Sequence, residues 1–385
     1  LEIFPAGGIA VDSGSGYIKA NWGQKPFSFT PPDGFQPLNT ANTRPVKVIS
    51  RPDQYVGIST WTGDGNTGRN IKTLQFKPDL VWIKQRSASR AHAWFDSVRG
   101  ANKRLQSSST NAETTHTDQM SAFIDNGFTV EDNNTVNVDS GTYVGWSWRA
   151  GGSKNTFNVD DVGYATAAAA GITDGTVALT GASVGTKQGF SILKFSPTTS
   201  AFSVAHGLNQ TPTFFIHKDL DNTYTWSVYS ADLGPDKYLK FTVDPEVSSS
   251  GNFGSGPTSS LLNFSSGYAN NNDAIVYCWH DVPGLQKFGV YNGNNNADGP
   301  YVELGFRPAV LMVKRTSGAN ANWYIMDKET QSSNPVVQAL EPNTNDSTNT
   351  ASVVNFDFLS NGFKVRGTDG DINATNVFFY AAWAE

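Results

Sequence analysis

A short cassette written three times constrains this chain more than any other feature. Residues 76–86 read FKPDLVWIKQR, a proline followed by an apolar run, with Lys84 six places after Pro78. FRPAVLMVKRT (306–316) repeats it with Pro308 and Lys314, and TPTFFIHKDL (211–220) with Pro212 and Lys218. A tryptophan follows each lysine, at Trp94, Trp226 and Trp323. DNGFTV (125–130) matches SNGFKV (360–365). The copies close on TYVGWSW (142–148), AIVYCWH (274–280) and NVFFYAAW (376–383).

A chain that repeats itself must fold as repeated units, so the local pattern decides the class. Proline donates no ladder hydrogen bond and belongs at a strand start. The apolar runs after it suit strands buried on both faces, and the lysine closes each run. WFDSV, WSVYS and WYIMD alternate like half-buried strands, NGF makes a turn that restarts a strand, and no window keeps a helical period. The expected fold is all-β: three divergent, tandem, jelly-roll-like β-sandwich modules of about seven or eight strands each.

The expected boundaries are 46–150, 188–283 and 284–385 for the copies. A Gly/Ala/Thr-rich connector, 151–187, is either a linker or an arm lying on a neighbour, and its YATAAAAG has the composition for one short helix. Residues 1–45 hold too few strands for a domain. LEIFPAGGIAVDSG has neither a starting Met nor a leader pattern, and the expectation is a piece of a longer polypeptide.

Composition narrows the partners. Charged residues make up 16% with a net of −6, which gives no basic footprint for nucleic acid or anionic lipid. No apolar run reaches the length of a membrane-spanning helix. Cys278 is the single cysteine, so no internal disulfide exists, and it reads as a small buried residue.

The sequence type resembles tail-fibre-like and other virion structural proteins of bacteriophages, especially marine and cyanobacterial ones. The resemblance rests on FKPDLVWIKQRSASRAHAWFDSVRGANKRL (76–105), TYVGWSWRAGGS (142–153), VGYATAAAAGITDGT (162–176), YVELGFRPAVLMVKRT (301–316) and FLSNGFKVRG (358–367). NWGQKPFSFTPPDGFQPLNT (21–40) is similar to the closing strands of a SPRY or concanavalin-like sandwich. The resemblance brings no catalytic residues. It implies a virion location, on tail or capsid surface, with other virion proteins and a homotrimer as partners.

A search for chemistry gives few candidates. Gly181 to Gly185 fits G-x-S-x-G but lacks the strand-to-helix context of a nucleophile elbow, and reads as flexible connector. Asp369 to Asn373 starts like a calcium loop, yet Ala374 and Tyr380 stand where an EF-hand needs Gly and Glu. Asp64, Asn66 and 294–296 lie in Asx-rich loops that read as Asx turns, with a weak Ca2+ site as the alternative. His92, His116, His206, His217 and His280 show no paired ligand spacing, and His217 and His280 read as satisfied core or edge residues. No metal or cofactor is expected.

One stretch, 86–104, concentrates Arg86, Arg90, Arg99, Lys103 and Arg104 in the first copy. It reads as an anionic glycan or partner contact, or as a salt-bridge set with Asp96 and Glu113 that fixes a loop, the second being favoured. Tryptophans at repeated positions read as core. Trp61 and Tyr268, each in one copy and flanked by turn residues, read as sugar-stacking candidates. The functional expectation is a non-enzymatic virion protein, a tail fibre, spike or other appendage used in host attachment. The alternatives are an adhesin binding a host surface glycan through these modules, and a capsid-attached decoration protein. A depolymerase would need a carboxylate pair that no motif supplies.

Overall fold

The computed structural model describes residues 48–197, 200–244, 247–248, 252–268, 271–349 and 354–385. The SPRY-like expectation for 1–45 lies outside them. The fold is all-β, built of antiparallel sheets in each repeat, and Ile49–Glu385 forms one unit.

Each copy has an inner sheet with the same four-strand centre. A leading strand pairs with the closing strand, the closing strand with the cassette strand, and the cassette strand with the strand that carries or follows the tryptophan. The leading strands are Val56–Thr62, Phe190–Phe195 and Gln286–Asn292. The closing strands are Thr142–Trp148, Ala274–Trp279 and Val377–Trp383. The cassette strands are Leu80–Gln85, Phe214–Asp219 and Val310–Arg315. Register repeats as well: Leu80 faces Trp148, Phe214 faces Trp279 and Val310 faces Trp383.

The cassette proline marks the strand start. One residue after it, the amides of Asp79, Thr213 and Ala309 donate to the carbonyls of Trp148, Trp279 and Trp383, at 2.9, 2.9 and 2.7 Å. Successive strand residues point to opposite faces. Leu80 and Trp82 therefore enter one core while Val81 and Ile83 enter another, and the other two copies divide their residues the same way.

A small outer sheet completes each sandwich. Its strands are Arg69–Ile71, Met120–Ile124 and Gly127–Val130 in the first copy, Phe202–Ala205 and Leu261–Phe264 in the second, and Tyr301–Glu303, Phe356–Leu359 and Gly362–Val365 in the third. The NGF turn leads into this sheet. A Cβ on Gly127 would lie 1.7 Å from the Ile71 carbonyl oxygen, and one on Gly362 2.0 Å from that of Val302, so only glycine lets the chains approach there.

The inner sheets meet one another. Their second faces share one core holding Trp82, Trp94, Trp146 and Trp148 with Trp226, Trp279, Trp323 and Trp383. Trp148, Trp279 and Trp383, the last residue of each closing strand, form a triangle with ring centroids 6.4, 6.1 and 5.4 Å apart and interplanar angles of 67–70°. The three copies thus surround an approximate threefold axis within one chain.

The connector is not a free linker. Phe157–Val159 pairs in parallel with Leu179–Gly185, which is itself a strand of the second module's nine-stranded sheet. Phe157, Ile172, Val177 and Leu179 pack into that module's own core. YATAAAAG makes turns rather than a helix, with the Ile172 amide donating to Ala167 O. Alanine alone supplies too few contacts to propagate a helix of this length. Ser183 of G-x-S-x-G is fully buried: its Oγ donates to Gly152 O and accepts from Gly151 N, both at 2.9 Å. The segment is buried strand, not flexible connector, and exposes no hydroxyl.

Candidate functional site: interlocks and a cleft in the second module

The repeated cassette lysines are interior. Lys84, Lys218 and Lys314 are each 0% exposed and sit where alternation points them toward the shared core. Each ammonium donates to carbonyl oxygens, at least one of them from a different module. Lys84 reaches Gln85 O (2.7 Å) in its own module and Asn345 O (3.3 Å) in the third. Lys218 reaches Asp219 O (2.7 Å) and Thr110 O (3.2 Å), the latter in the first. Lys314 reaches Ala321 O (2.5 Å) and, in the second, Val243 O (3.0 Å). Burial pulls each pKa down to about 8, against the opposing pull of a nearby carboxylate, Asp346 for Lys84, Asp219 for Lys218 and Asp244 for Lys314.

Aromatic N–H groups follow the same cycle. Trp226 Nε1 donates to Gln106 O of the first module at 2.8 Å, and Trp323 Nε1 to Lys240 O of the second at 2.6 Å. In the first module, Trp82 Nε1 donates to His92 Nδ1, which leaves His92 Nε2–H to donate to Glu341 O of the third at 3.0 Å. Three loops, around 106–113, 240–243 and 341–345, therefore each lock onto a neighbour in a closed ring.

The arginine stretch resolves into separate roles. Arg99 is interior and bonds Asp96 (2.5 Å) and Glu113 (3.2 Å), and Lys103 also reaches Glu113 (3.3 Å). Asp96 in turn accepts from Tyr277 OH of the second module at 2.6 Å. Arg86 donates to Gln338 Oε1 of the third module at 3.2 Å. Arg104 is half-buried, with burial lowering its pKa, and Arg90 is exposed. Arg99 is thus an internal tie and is not available to a glycan.

Trp61 is not a surface platform either. Only 8% exposed, it stacks on Tyr143 with centroids 5.3 Å apart and donates Nε1–H to Val136 O. Turn residues flank its strand, but the ring points inward. Asp64 and Asn294 accept from the amides of Asn66 and Asn296, as Asx turns do. Among the described residues, no group of three or more His, Cys, Asp or Glu is placed to hold a metal. Cys278 lies in the second module's core, its Sγ 2.9 Å from Ser191 Oγ, and burial pushes the thiol up to about 12.

Tyr268 has a different setting. It ends the short 3-10 turn Ser266–Tyr268 and lines a cleft of about 390 Å³ in the second module. His217, Asp219, Tyr224, Tyr238 and Lys240 share that lining, and none of the four arginines does. Tyr224 is 56% exposed. Tyr268 meets His217 edge-on at 4.8 Å and stacks on Phe253 at 5.5 Å. Its burial raises the phenol pKa. The sequence expectation that His217 and His280 are satisfied core or edge residues does not hold at Nε2, which in both rings is buried without a hydrogen-bond partner. The apolar strand around each was the misleading signal.

A family model described as a domain of unknown function (DUF7483) matches residues 51–385. The chain belongs to that family. The match runs through all three modules. No curated protein sequence matches the chain.

Proposed function

We propose that this member of the family is a non-enzymatic structural protein of a bacteriophage virion, a tail fibre, spike or other surface appendage used in host attachment. One observation carries the reading: three modules locked in a ring by buried lysine and tryptophan ties. Such a body resists shear because no module can move without breaking contacts to two others. The sequence resemblance to tail-fibre-like proteins supports the same role. Assembly with further copies and with other virion proteins belongs to the proposal. Light scattering on the purified protein tests the first, and a monomer at all concentrations would remove it.

A second reading, direct glycan adhesion through these modules, is favoured by the aromatic cleft at Tyr224, Tyr238 and Tyr268. The deciding experiment for the first reading is antibody labelling of intact particles under the electron microscope. Label on tail or capsid appendages is expected. Particles that never carry the chain would overturn the reading.

A further inference from the structure

Along the three cassette strands, the positions before the lysine that face each module's own core are apolar except one. Ile83 in the first cassette strand and Val313 in the third point into their own sandwich cores. The matching residue of the second strand, one before Lys218, is His217. A polar ring there costs stability unless something offsets its unmet hydrogen bond. His217 is only 6% exposed, its Nε2 has no protein partner, and it lines the cleft. The module has opened its core at the one place where the threefold pattern would have filled it with an aliphatic side chain.

We infer that this cleft is a binding site for a neutral saccharide, with Tyr224 as the stacking platform and His217 Nε2 as a hydroxyl partner at its base. The inference deepens the attachment reading and rests on it for its biological meaning. Sugar rings present apolar C–H faces and a rim of hydroxyls, which calls for exposed aromatic faces beside fixed polar groups. Tyr224 supplies such a face, over half exposed, and Tyr238 and Tyr268 supply further aromatic wall. Asp219 and Lys240 place one negative and one positive group in the lining, so the cleft has no net charge to select an ionic ligand. Burial holds the imidazole uncharged at neutral pH, with a pKa near 3. Its volume of about 390 Å³ lies within the range of small-ligand sites, about 300–1,000 Å³.

The test titrates the full chain with methyl α-glucopyranoside, methyl β-galactopyranoside, methyl α-mannopyranoside and N-acetylglucosamine, followed by saturation-transfer NMR. At least one is expected to bind saturably. Tyr224→Ala should weaken that binding by roughly tenfold, the upper range for one aromatic contact. His217→Val, which installs the third module's residue, should weaken it at least as much while leaving the melting temperature equal or higher. Loss of binding in a protein that folds as well or better cannot come from misfolding. No saturable binding by any of the four, or unchanged binding in both variants, overturns the inference. Particle labelling separates the two readings: a chain present on virions whose sugar binding ignores both variants loses the site and keeps attachment. A chain absent from virions that binds sugar through Tyr224 and His217 keeps the site and loses attachment.

Discussion

Lys84, Lys218 and Lys314 hold an ammonium in the interior with backbone carbonyls as its acceptors. Removing the ammonium leaves those carbonyls unmet, at about 1–3 kcal/mol each site. Lys218→Met, which keeps the stem, should lower unfolding free energy by about 2 kcal/mol. Urea titration should give similar losses at Lys84 and Lys314, since all three play one role. Their pH signature follows from linkage. The folded pKa, about 8, lies below the ordinary lysine value of 10.5, so between them the unfolded chain binds more protons and stability rises with pH. Melting temperature should climb from pH 8 to 9.5, and Lys218→Met should remove about a third of the climb. Arg99 belongs to the same scale. Arg99→Ala strips the buried Asp96 carboxylate of its cation and should cost about 3–5 kcal/mol, with Arg99→Lys only a partial rescue because one ammonium cannot span Asp96, Glu113 and the Trp94 carbonyl.

At the scale of elements, the cassette shows how far sequence carries and where it stops. Proline spacing, apolar runs and repeated tryptophans were enough to place the strands that start at Leu80, Phe214 and Val310 and to class the fold as all-β. Two buried faces were also legible, because the runs do not alternate. What covers the second face was not legible. Alternation tells which residues share a face, not which distant strand meets it, and the partner of Lys84 is 261 residues away. Polar residues inside apolar runs carried the missing information: a lysine written three times at one position is too costly to keep without fixed acceptors. The candidate site was half legible for a related reason. Tyr268 stands out among turn residues, whereas Tyr224 and His217 join it only through folding. Trp61 misled because a strand one face deep in the core can still begin and end in exposed turns.

For the whole molecule, the ring replaces a string of independent beads. No inner sheet can bury its axial face without the other two, so unfolding should be cooperative across residues 49–385. Tryptophan fluorescence and far-ultraviolet circular dichroism should give coincident urea transitions. Two or three separated transitions would show modules stable on their own. The ring also has a seam set by the order of synthesis. The first module's loop finds its neighbour as soon as the second module emerges, but His92 and Lys84 wait for Glu341 and Asn345. A ribosome-bound chain two modules long therefore displays one unpaired aromatic wall until residues 341–345 of the third module have emerged. During that interval the exposed wall is open to aggregation, which a chaperone or a low temperature would limit.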